Sequence, residues 1–400
     1  MSRREEASIS LDALRVIEEG KVKVLAPALE LYVRPNGVPE PAWAPVFYNP
    51  AMTDNRTLTV LLVRCSRALG QRVETFVEPL AGICVRSVRA LIEGGAETAY
   101  AFDANPLAVY LCHKASQLNK LVGRLLPERV DANEGLLRLD SEGVRVDAVD
   151  LDPFGSPIYY VASSARALGR GGLLIATATD LGCLEGKYPE TARRRYGLRV
   201  RRTDYSKEVA ARALVAAMIR QLAALERGAR PVLAYYEKHY VKIALSVRHS
   251  RGEASASLEE TGYLCLDESG YPEALAKSPS ECDQREYMGP LWLGPIYHSS
   301  LLKELCSVGE AEVSPRLRKA LKLIESEASV NSPFYYKLDS LCSRYSIGSM
   351  PSPDVVVVKL REIGYSASRT HFDPVGVKTS APLSDVLRAI REAQLSQPSA

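Results

Sequence analysis

The chain has 400 residues, of which 46% are hydrophobic and 25% are charged, and its formal net charge is +3. This length exceeds what one typical hydrophobic core fills, so we expect two domains of an ordinary globular protein. The net charge is too small to indicate nucleic-acid binding by itself, because such binding depends on local clusters of Lys and Arg.

Neither a membrane segment nor a metal-binding cysteine motif is evident. The N-terminal MSRREEASIS has charges but no apolar run behind them, and no later stretch approaches the roughly 20 apolar residues of a membrane span. The eight cysteines are scattered singly, without a Cys-x-x-Cys pair. We therefore expect a soluble, cytoplasmic protein in which most cysteines are reduced, partly buried thiols.

From about residue 73 the sequence alternates β-rich runs with helical ones, which is the pattern of a parallel sheet with crossover helices. Two later strands are separated by only three residues, a link that permits a hairpin but no parallel crossover. The sequence therefore predicts an α/β fold with a mostly parallel sheet whose last strand is antiparallel. The predicted strands are Val73–Glu78, Thr98–Asp103, Val146–Asp152, Gly171–Thr179, Arg230–Tyr236 and Tyr240–Val247, and the predicted helices are Val85–Glu93, Leu107–Leu118 and Lys207–Arg227.

A smaller second domain is predicted after this region. Between about Ser250 and Met288 the pattern dissolves into Gly, Ser, Pro and Glu, which indicates a boundary or a variable insertion. We place the domains at residues 1–255 and 256–400. The second contains a predicted helix at Pro315–Ser326, a strand at Asp354–Lys359 and a helix at Leu383–Gln394.

The segment DLDPFGSP, from Asp150 to Pro157, is the most informative one for chemistry. It follows an apolar strand at its carboxyl end, where doubly wound sheets bind their ligands. Its prolines and glycine fix a turn that can direct the Asp152 carboxylate and the Phe154 ring to one point. An exocyclic base amine is a poor nucleophile until an acceptor holds its hydrogens, and Asp152 can do this and then take the proton. Phe154 can stack on the base. The alternative is a strand-ending turn with a capping Asp and a core Phe.

Other carboxylates follow the strands of the predicted sheet. Asp103 ends the second strand, where an acid can accept both hydroxyls of a ribose, and Asp131 with Ala132 can recognise an adenine. Glu78 ends the first strand, but the segment after it contains only Gly82, a poor match to a phosphate-binding loop. The pattern favours a nucleoside cofactor without phosphate, although each carboxylate alone is equally typical of a helix cap.

RRRYGLRVRR, from Arg193 to Arg202, holds six arginines and no acid. Such a run is usually a solvated surface. Its density, with Tyr196 interleaved, favours contact with a phosphate backbone.

Four blocks of the chain resemble the archaeal-type tRNA guanine-N2 dimethyltransferases of the Trm1 family. The N-terminal block combines EGKVKVL, VFYNP and the pair Asn55–Arg56, and the catalytic block combines DLDPFGSP and TATD. GPLWLGPIY forms the third block, and PFYY with GYSASRTHFDPVGVKTSAP the fourth. The last string is long and polar, unlike core packing, which makes a chance similarity improbable.

The resemblance implies a class I (Rossmann-like) methyltransferase domain followed by a smaller α+β domain, S-adenosyl-L-methionine as cofactor, and dimethylation of guanine 26 in tRNA at N2. It implies that Asp152 is the catalytic acid/base and that Phe154 and Phe47 stack on the guanine. The implied cofactor contacts, together with Glu78 from the strand pattern, are Arg56, Arg86, Asp103, Asp131 and Ala132.

The chain departs from the family pattern in two places. Family members commonly have Gly at the position of Cys84, so the first cofactor loop is expected to differ in shape. Many also have paired cysteines before the GPLW block that resemble zinc ligands. Here only Cys265 and Cys282 remain, and two cysteines do not make a four-ligand site, so we expect no zinc.

Two other functions are compatible with parts of the sequence. An amino-methyltransferase acting on another RNA or DNA base would share the Asp-Pro-Phe arrangement, but the C-terminal block argues against it. A tRNA-binding protein whose methyltransferase fold has lost activity is the other; the intact Asp152 and Asp103 argue against it, while Cys84 leaves it open. We expect tRNA as the partner and see no sign of an obligate protein partner.

Overall fold

The computed structural model describes residues 13–395, so the N-terminal segment 1–10, considered above for a membrane segment, lies outside it. The chain forms two compact units, Met1–Leu151 and Asp152–Ala400. The predicted domain boundary after residue 255 stays a prediction. Within residues 13–395, no helix is both long and apolar enough to cross a membrane.

The first unit contains a hairpin, a helix and a parallel α/β sheet. Strands β1 and β2 pair antiparallel, whereas the sheet strands run parallel in the order β5-β4-β3-β6. Its elements are β1 (Leu14–Glu19), β2 (Val22–Pro27), α1 (Thr53–Arg64), β3 (Thr75–Glu78), α2 (Val85–Arg89), β4 (Thr98–Asp103), α3 (Pro106–Leu118), β5 (Leu125–Arg129), α4 (Ala132–Ser141) and β6 (Ala148–Leu151). Strands β3 and β6 are largely buried, and β3, β4 and β5 are each followed by a helix, which confirms the predicted βα alternation. The parallel arrangement brings the carboxyl ends of the strands to one edge.

The second unit begins with helices and three antiparallel sheet strands, which are neighbours in the order β7-β9-β8. Its elements are α5 (Val161–Ala167), β7 (Gly171–Ala178), α6 (Leu181–Leu184), α7 (Pro189–Tyr196), α8 (Ser206–Ala223), β8 (Arg227–Glu237) and β9 (Tyr240–His249). The predicted hairpin is confirmed, because only Lys238 and His239 link β8 to β9.

The segment from 250 to 288 is regular, contrary to its irregular composition. It forms α9 (Arg251–Glu259) and most of a small antiparallel sheet in the order β11-β10-β12. The strands are β10 (Thr261–Leu266), β11 (Pro272–Ala276) and β12 (Tyr287–Trp292). Short strands rich in Gly, Glu and Pro lack the alternation that would have identified them from sequence.

The C-terminal part combines five helices with a second small sheet, in the order β13-β15-β14. Its elements are α10 (Ser299–Ser307), α11 (Pro315–Glu327), β13 (Tyr336–Lys337), α12 (Leu338–Arg344), α13 (Pro353–Glu362), β14 (Ala367–Arg369), β15 (Gly376–Thr379) and α14 (Leu383–Leu395). The predicted strand Asp354–Lys359 is wrong. It is helix α13, which starts at Pro353 and buries Val356, Val357 and Leu360 on one face.

The polar string Gly364–Pro382 contributes side chains to buried ion pairs instead of forming an exposed surface. Lys378 Nζ lies 2.5 Å from Glu208 Oε1, and both side chains are buried. His371 Nδ1 lies 3.2 Å from Glu327 Oε1. Burial raises the pKa of Glu327, but the neighbouring His371 outweighs burial and lowers it to about 2. Buried charges of this kind persist only when they are paired, which explains the polarity of this string.

Half of the cysteines form disulfides, contrary to the expectation that most are reduced. Cys84 bonds to Cys112 and Cys265 to Cys282, each with a Cα–Cα distance of 5.3 Å. The remaining four form no disulfide. The partners are 28 and 17 residues apart, and a sequence without local cysteine motifs does not reveal such pairings. Among residues 13–395, no group of three or more His, Cys, Asp or Glu side chains is arranged to hold a metal ion.

Candidate active site

The carboxyl edge of the parallel sheet in the first unit carries the acids predicted from sequence. Glu78 ends β3, Asp103 ends β4, and Asp131 follows β5 by one residue. A fourth acid, Asp150 in β6, is fully buried. Because these strands are parallel and adjacent, the structure brings the predicted cofactor carboxylates to one edge of one sheet.

Asp103 links two backbone segments at this edge. Its Oδ2 accepts a hydrogen bond from the Gly82 amide at 2.9 Å, and its Oδ1 accepts one from the Asn105 amide at 2.8 Å. Burial raises the pKa of Asp103. Gly82 has φ +53, and a Cβ atom there would lie 3.3 Å from the Phe47 carbonyl oxygen. The loop after β3 therefore needs glycine both for its backbone and for its close approach to Phe47.

Glu78, Arg86 and Asp150 form a buried charged cluster. Arg86 Nη1 lies 3.4 Å from Glu78 Oε1, and its Nε lies 3.4 Å from Asp150 Oδ2. Glu78 Oε2 accepts from the amide and hydroxyl of Ser87, at 3.0 and 2.6 Å. Burial, together with the charge of Asp150, raises the pKa of Glu78 to about 7 despite Arg86. Arg86 is thus an interior residue of the site and not an exposed helix residue.

Arg56 is also held inside the first unit. Its Nε donates to both carboxylate oxygens of Glu19, at 2.8 and 3.0 Å, and its Nη1 donates to the Asn49 carbonyl at 3.2 Å. The guanidinium lies 4.9 Å from the centroid of the Tyr48 ring. Burial raises the pKa of Glu19, but Arg56 and Arg89 outweigh it and hold the pKa below its usual range. Sequence reasoning missed Glu19, whose role depends on two arginines distant in sequence.

Asp131 is the N-cap of α4, where its carboxylate accepts from the amides of Asn133 and Glu134 at 2.9 and 3.3 Å. Asp131 is exposed, whereas the next residue, Ala132, is buried. Phe47, which the resemblance predicts to stack on the guanine, is half-buried. Asp131 can cap α4 and still accept a hydrogen bond from an adenine, because a capping carboxylate at an exposed edge keeps accessible lone pairs.

Cys84 has the left-handed backbone that glycine favours, with φ +62. A residue with a Cβ is held in this conformation at a cost, and here it is bonded to Cys112 in α3. At Cys84 the loop therefore has the backbone conformation that glycine favours. The chain differs from the family pattern at this position in having a side chain.

The second unit contains the turn Asp152–Ser156. Gly155, at φ +82, donates from its amide to Thr179 Oγ1 at 2.8 Å, and the Thr179 amide returns a hydrogen bond to the Gly155 carbonyl at 2.8 Å. Asp152 is half-buried. The Phe154 side chain is 74% exposed, which rules out the alternative in which this residue belongs to the core.

A buried tyrosine connects this turn to the arginine-rich helix α7. The Tyr196 hydroxyl lies 2.5 Å from Ser156 Oγ and 2.8 Å from each carboxylate oxygen of Asp180. Arg195 Nη1 lies 2.5 Å from Asp180 Oδ2. Burial and the charge of Asp180 raise the pKa of Tyr196 well above its usual value. Sequence reasoning placed Tyr196 and Arg195 at the surface and assigned no role to Asp180.

The structure divides the basic run into two groups. Arg195 pairs with Asp180, and Arg201 Nε lies 3.1 Å from Glu286 Oε1. The other arginines, Arg193, Arg194, Arg199 and Arg202, are exposed. Only these four arginines of the run present positive charge to solvent without an ion-pair partner among the described residues. We therefore expect contact with phosphate from these four and not from the whole run.

Comparison with known proteins gives a consistent result along the whole chain. The sequence profile of the family described as TRM, N2,N2-dimethylguanosine tRNA methyltransferase, matches residues 20–391. A tRNA (guanine(26)-N(2))-dimethyltransferase of Metallosphaera sedula is 33% identical over 390 residues, covering 94% of this chain and 97% of the relative. One of Thermococcus kodakarensis is 33% identical over 398 residues, covering 94% and 99%. The structure of Trm1 from Pyrococcus horikoshii with S-adenosyl-L-methionine matches with a TM-score of 0.81 and 28% identity, over 94% of this chain and all of that one.

Proposed function

The chain belongs to the N2,N2-dimethylguanosine tRNA methyltransferase family, and we propose that it transfers two methyl groups in succession from S-adenosylmethionine to the exocyclic N2 of guanine 26 in tRNA. The observation that carries this proposal is agreement with relatives of that activity over 94% of the chain. The same agreement shows a class I methyltransferase fold, since the chain and the Pyrococcus structure superpose with a TM-score of 0.81.

The carboxyl edge of the first unit fits S-adenosylmethionine in its chemistry. Asp103 accepts one backbone amide hydrogen bond at each carboxylate oxygen, which leaves lone pairs for a ribose diol, and a Cβ at the neighbouring Gly82 would crowd the Phe47 carbonyl. Asp131 and Ala132 are assigned to the adenine. Glu78, Arg86 and Arg56 complete the proposed cofactor-binding set, and their buried partners fix their position before the cofactor binds. When bound, the cofactor supplies an electrophilic methyl group on a positively charged sulfur.

Asp152 is the proposed acid/base. Its carboxylate accepts the hydrogens of the guanine N2 amine, which localises the lone pair on nitrogen. The transfer would form the bond from N2 to the methyl carbon, break the bond from that carbon to the cofactor sulfur so that neutral S-adenosylhomocysteine leaves, and pass one N–H proton to Asp152, which would release it to solvent before the second transfer. The mutual hydrogen bonds of Gly155 and Thr179 hold the turn that carries Asp152, so the carboxylate is oriented in advance.

Phe154 and Phe47 are the proposed stacking residues for the guanine. The amine of a paired guanine lies inside the helix, so the base must turn out before it reacts, at a cost of a few kcal/mol. Stacking on one aromatic ring is worth roughly 1 to 3 kcal/mol per base, which offsets much of that cost. The 74% exposure of Phe154 supports this role, because a ring that packs in the core is not accessible to a base.

We further propose that the enzyme works in the cytoplasm on free tRNA and without an obligate protein partner. The test uses purified protein, unmodified tRNA transcript and S-adenosylmethionine. Asp152→Ala should lose methyl transfer and keep cofactor affinity, because the proposed contact of Asp152 is with the base. Asp354→Ala, which removes an exposed carboxylate on α13, is the matched control. Wild-type turnover in Asp152→Ala would refute the catalytic assignment, and an inactive wild-type protein with bound tRNA would favour the inactive tRNA-binding alternative.

A further inference from the structure

Two adjoining cavities in the second unit share one arginine. The larger, of about 790 Å³, is lined by residues that include Arg193, Arg199, Arg201, Tyr263 and Tyr287. The smaller, of about 310 Å³, is lined by Arg201, Arg202, Thr203, Asp204, Ser269, Gly270 and Arg344. Arg201 borders both cavities, and we name the two cavities together the arginine trough. No residue of the turn Asp152–Ser156 is among those described as lining it.

The backbone of the trough is held in place at Arg199 and Arg201. The Arg199 amide donates to the Gly289 carbonyl and the Gly289 amide donates to the Arg199 carbonyl, both at 2.8 Å, which ties this segment to β12. Gly186 approaches the backbone of Arg201 so closely that a Cβ atom would clash. A cationic segment held this way loses little conformational freedom when a ligand binds, unlike a loose surface run.

The two cavities differ in chemistry. Tyr263, Leu198 and Pro290 give the larger one an apolar and aromatic wall. At this wall the Arg199 guanidinium lies 4.3 Å from the centroid of the Tyr287 ring. The smaller cavity is polar. An aromatic wall with a guanidinium plane suits a nucleobase, which stacks on both.

The charges of the two cavities together favour an anion, and Arg202 is the arginine of the smaller cavity that forms no ion pair within the described residues. The two cavities together are lined by five arginines and three carboxylates, Glu190, Asp204 and Glu286. Arg201 is paired with Glu286 and Arg344 lies 3.4 Å from Asp204, whereas Arg193, Arg199 and Arg202 form no ion pair within the described residues. The excess of guanidinium groups, beside the hydroxyls of Thr203 and Ser269, suits a phosphate.

We propose that the arginine trough binds one unpaired nucleotide of the substrate RNA, distinct from the guanine that is methylated. Its base lies against Tyr287 and Tyr263, and its phosphate is held by Arg202 and Arg344. This inference rests on the proposed function, because it takes the polyanionic partner to be tRNA. Bases in a continuous duplex are stacked and unavailable to such a pocket, so the trough selects RNA with an unstacked nucleotide.

The role of Tyr287 is tested on the full chain with three probes at one salt concentration: unmodified tRNA transcript, a single-stranded oligouridylate and a blunt RNA duplex of matched length. Tyr287→Ala should raise the Kd for the single strand by roughly 5- to 150-fold, the range for loss of one stacked base. The same variant should change the Kd for the duplex by less than about twofold. Tyr287→Phe keeps the ring and should keep the affinity, and melting temperatures verify that each variant is folded.

The arginines are tested by the salt dependence of tRNA binding. Arg199→Ala/Arg202→Ala should weaken tRNA binding and reduce the slope of log Kd against log salt by about one to two, since each phosphate contact contributes roughly 0.7 to 0.9. Arg170→Ala is the control, because Arg170 is an exposed arginine at the amino end of β7, away from the end that leads to Asp180. Unchanged tRNA affinity and salt slope in the double variant would overturn the proposal.

Two further outcomes decide the nature of the ligand. Equal losses for single strand and duplex in Tyr287→Ala would overturn the nucleotide pocket, since only a general electrostatic surface would remain. Adenosine or uridine monophosphate that binds as tightly as the oligonucleotide, with tRNA binding unaffected by the variants, would assign the trough to a free nucleotide and overturn the RNA contact. If the variants behave as expected but wild-type protein methylates no guanine, the trough stands and the proposed function fails.

Discussion

Replacement of Asp103 by asparagine tests the cofactor edge with the smallest change of shape. The carboxylate of Asp103 accepts from two backbone amides, and we propose that its remaining lone pairs accept the ribose hydroxyls. The side-chain amide of the variant has one accepting oxygen instead of two and carries no charge. A hydrogen bond to a charged group is worth about 1.5 to 3 kcal/mol, so the Kd for S-adenosylmethionine should rise by roughly 10- to 150-fold.

The same substitution has a predicted effect on folding. One buried backbone amide, of either Gly82 or Asn105, faces an NH₂ group in the variant and loses its acceptor. Leaving such a group unsatisfied costs about 1 to 3 kcal/mol of unfolding free energy. Affinity is measured by titration calorimetry at a temperature where both proteins are folded, and stability by denaturant unfolding.

Glu97→Gln is the matched control for Asp103→Asn. Glu97 is exposed, pairs with Arg72 and immediately precedes β4, at the opposite end of the strand that Asp103 terminates. Its replacement should change the cofactor Kd by less than about twofold, as surface ion pairs contribute little. Cofactor affinity in Asp103→Asn equal to that of the control would refute the position of the ribose at the end of β4.

Three further substitutions test separate features of the structure. Phe154→Ala should lower the rate of methylation at saturating tRNA by about 5- to 150-fold, without changing the salt slope of tRNA binding, since the ring carries no charge; a changed slope with an unchanged rate would contradict the stacking role. Because burial raises the pKa of Glu78 to about 7, the folded protein keeps a proton that the unfolded chain loses above its ordinary value of 4.5. As the pH rises from 4.5 to about 7, the free energy of unfolding should therefore fall by about 3 kcal/mol. Glu78→Gln should remove this part of the pH dependence, and denaturant unfolding at pH values across the range tests both expectations. Cys265→Ser/Cys282→Ser removes a disulfide between residues 17 apart and should lower the free energy of unfolding by about 3 kcal/mol. The melting temperature should fall accordingly, whereas Cys306→Ser, which removes a cysteine outside the disulfides, should leave it nearly unchanged.

The regular part of the fold was predictable because its elements are long and buried. The apolar strands of the sheet and the Ala/Leu-rich helix α8 have a strong local signal, and their bounds in the structure differ from the predicted ones by a few residues. Helix α13 was mistaken for a strand, because four consecutive valines favour β structure while the Ser-Pro start signal before them was not weighed. Tertiary burial of one helical face decided its conformation.

The positions of the candidate site residues were predictable only where a residue is marked by its own place in the sequence, and their roles stay predictions. Asp152, Phe154 and Asp103 stand at strand ends in a recognisable order, and the structure leaves them where that order predicts. Glu19 and Asp180 depend on arginines and a tyrosine brought together by folding, which no local pattern reveals. The division of the basic run into paired and exposed arginines has the same cause, since its acidic partners are distant in sequence.

The central claim is that the product is a guanine methylated at N2 in position 26 of tRNA. The most direct measurement is mass spectrometry of nucleosides from tRNA transcript incubated with purified protein and S-adenosylmethionine, beside a transcript in which guanine 26 is replaced by adenine. We predict N2,N2-dimethylguanosine from the first transcript and no methylated nucleoside from the second. Methylation of another base, or equal methylation of both transcripts, would contradict the account.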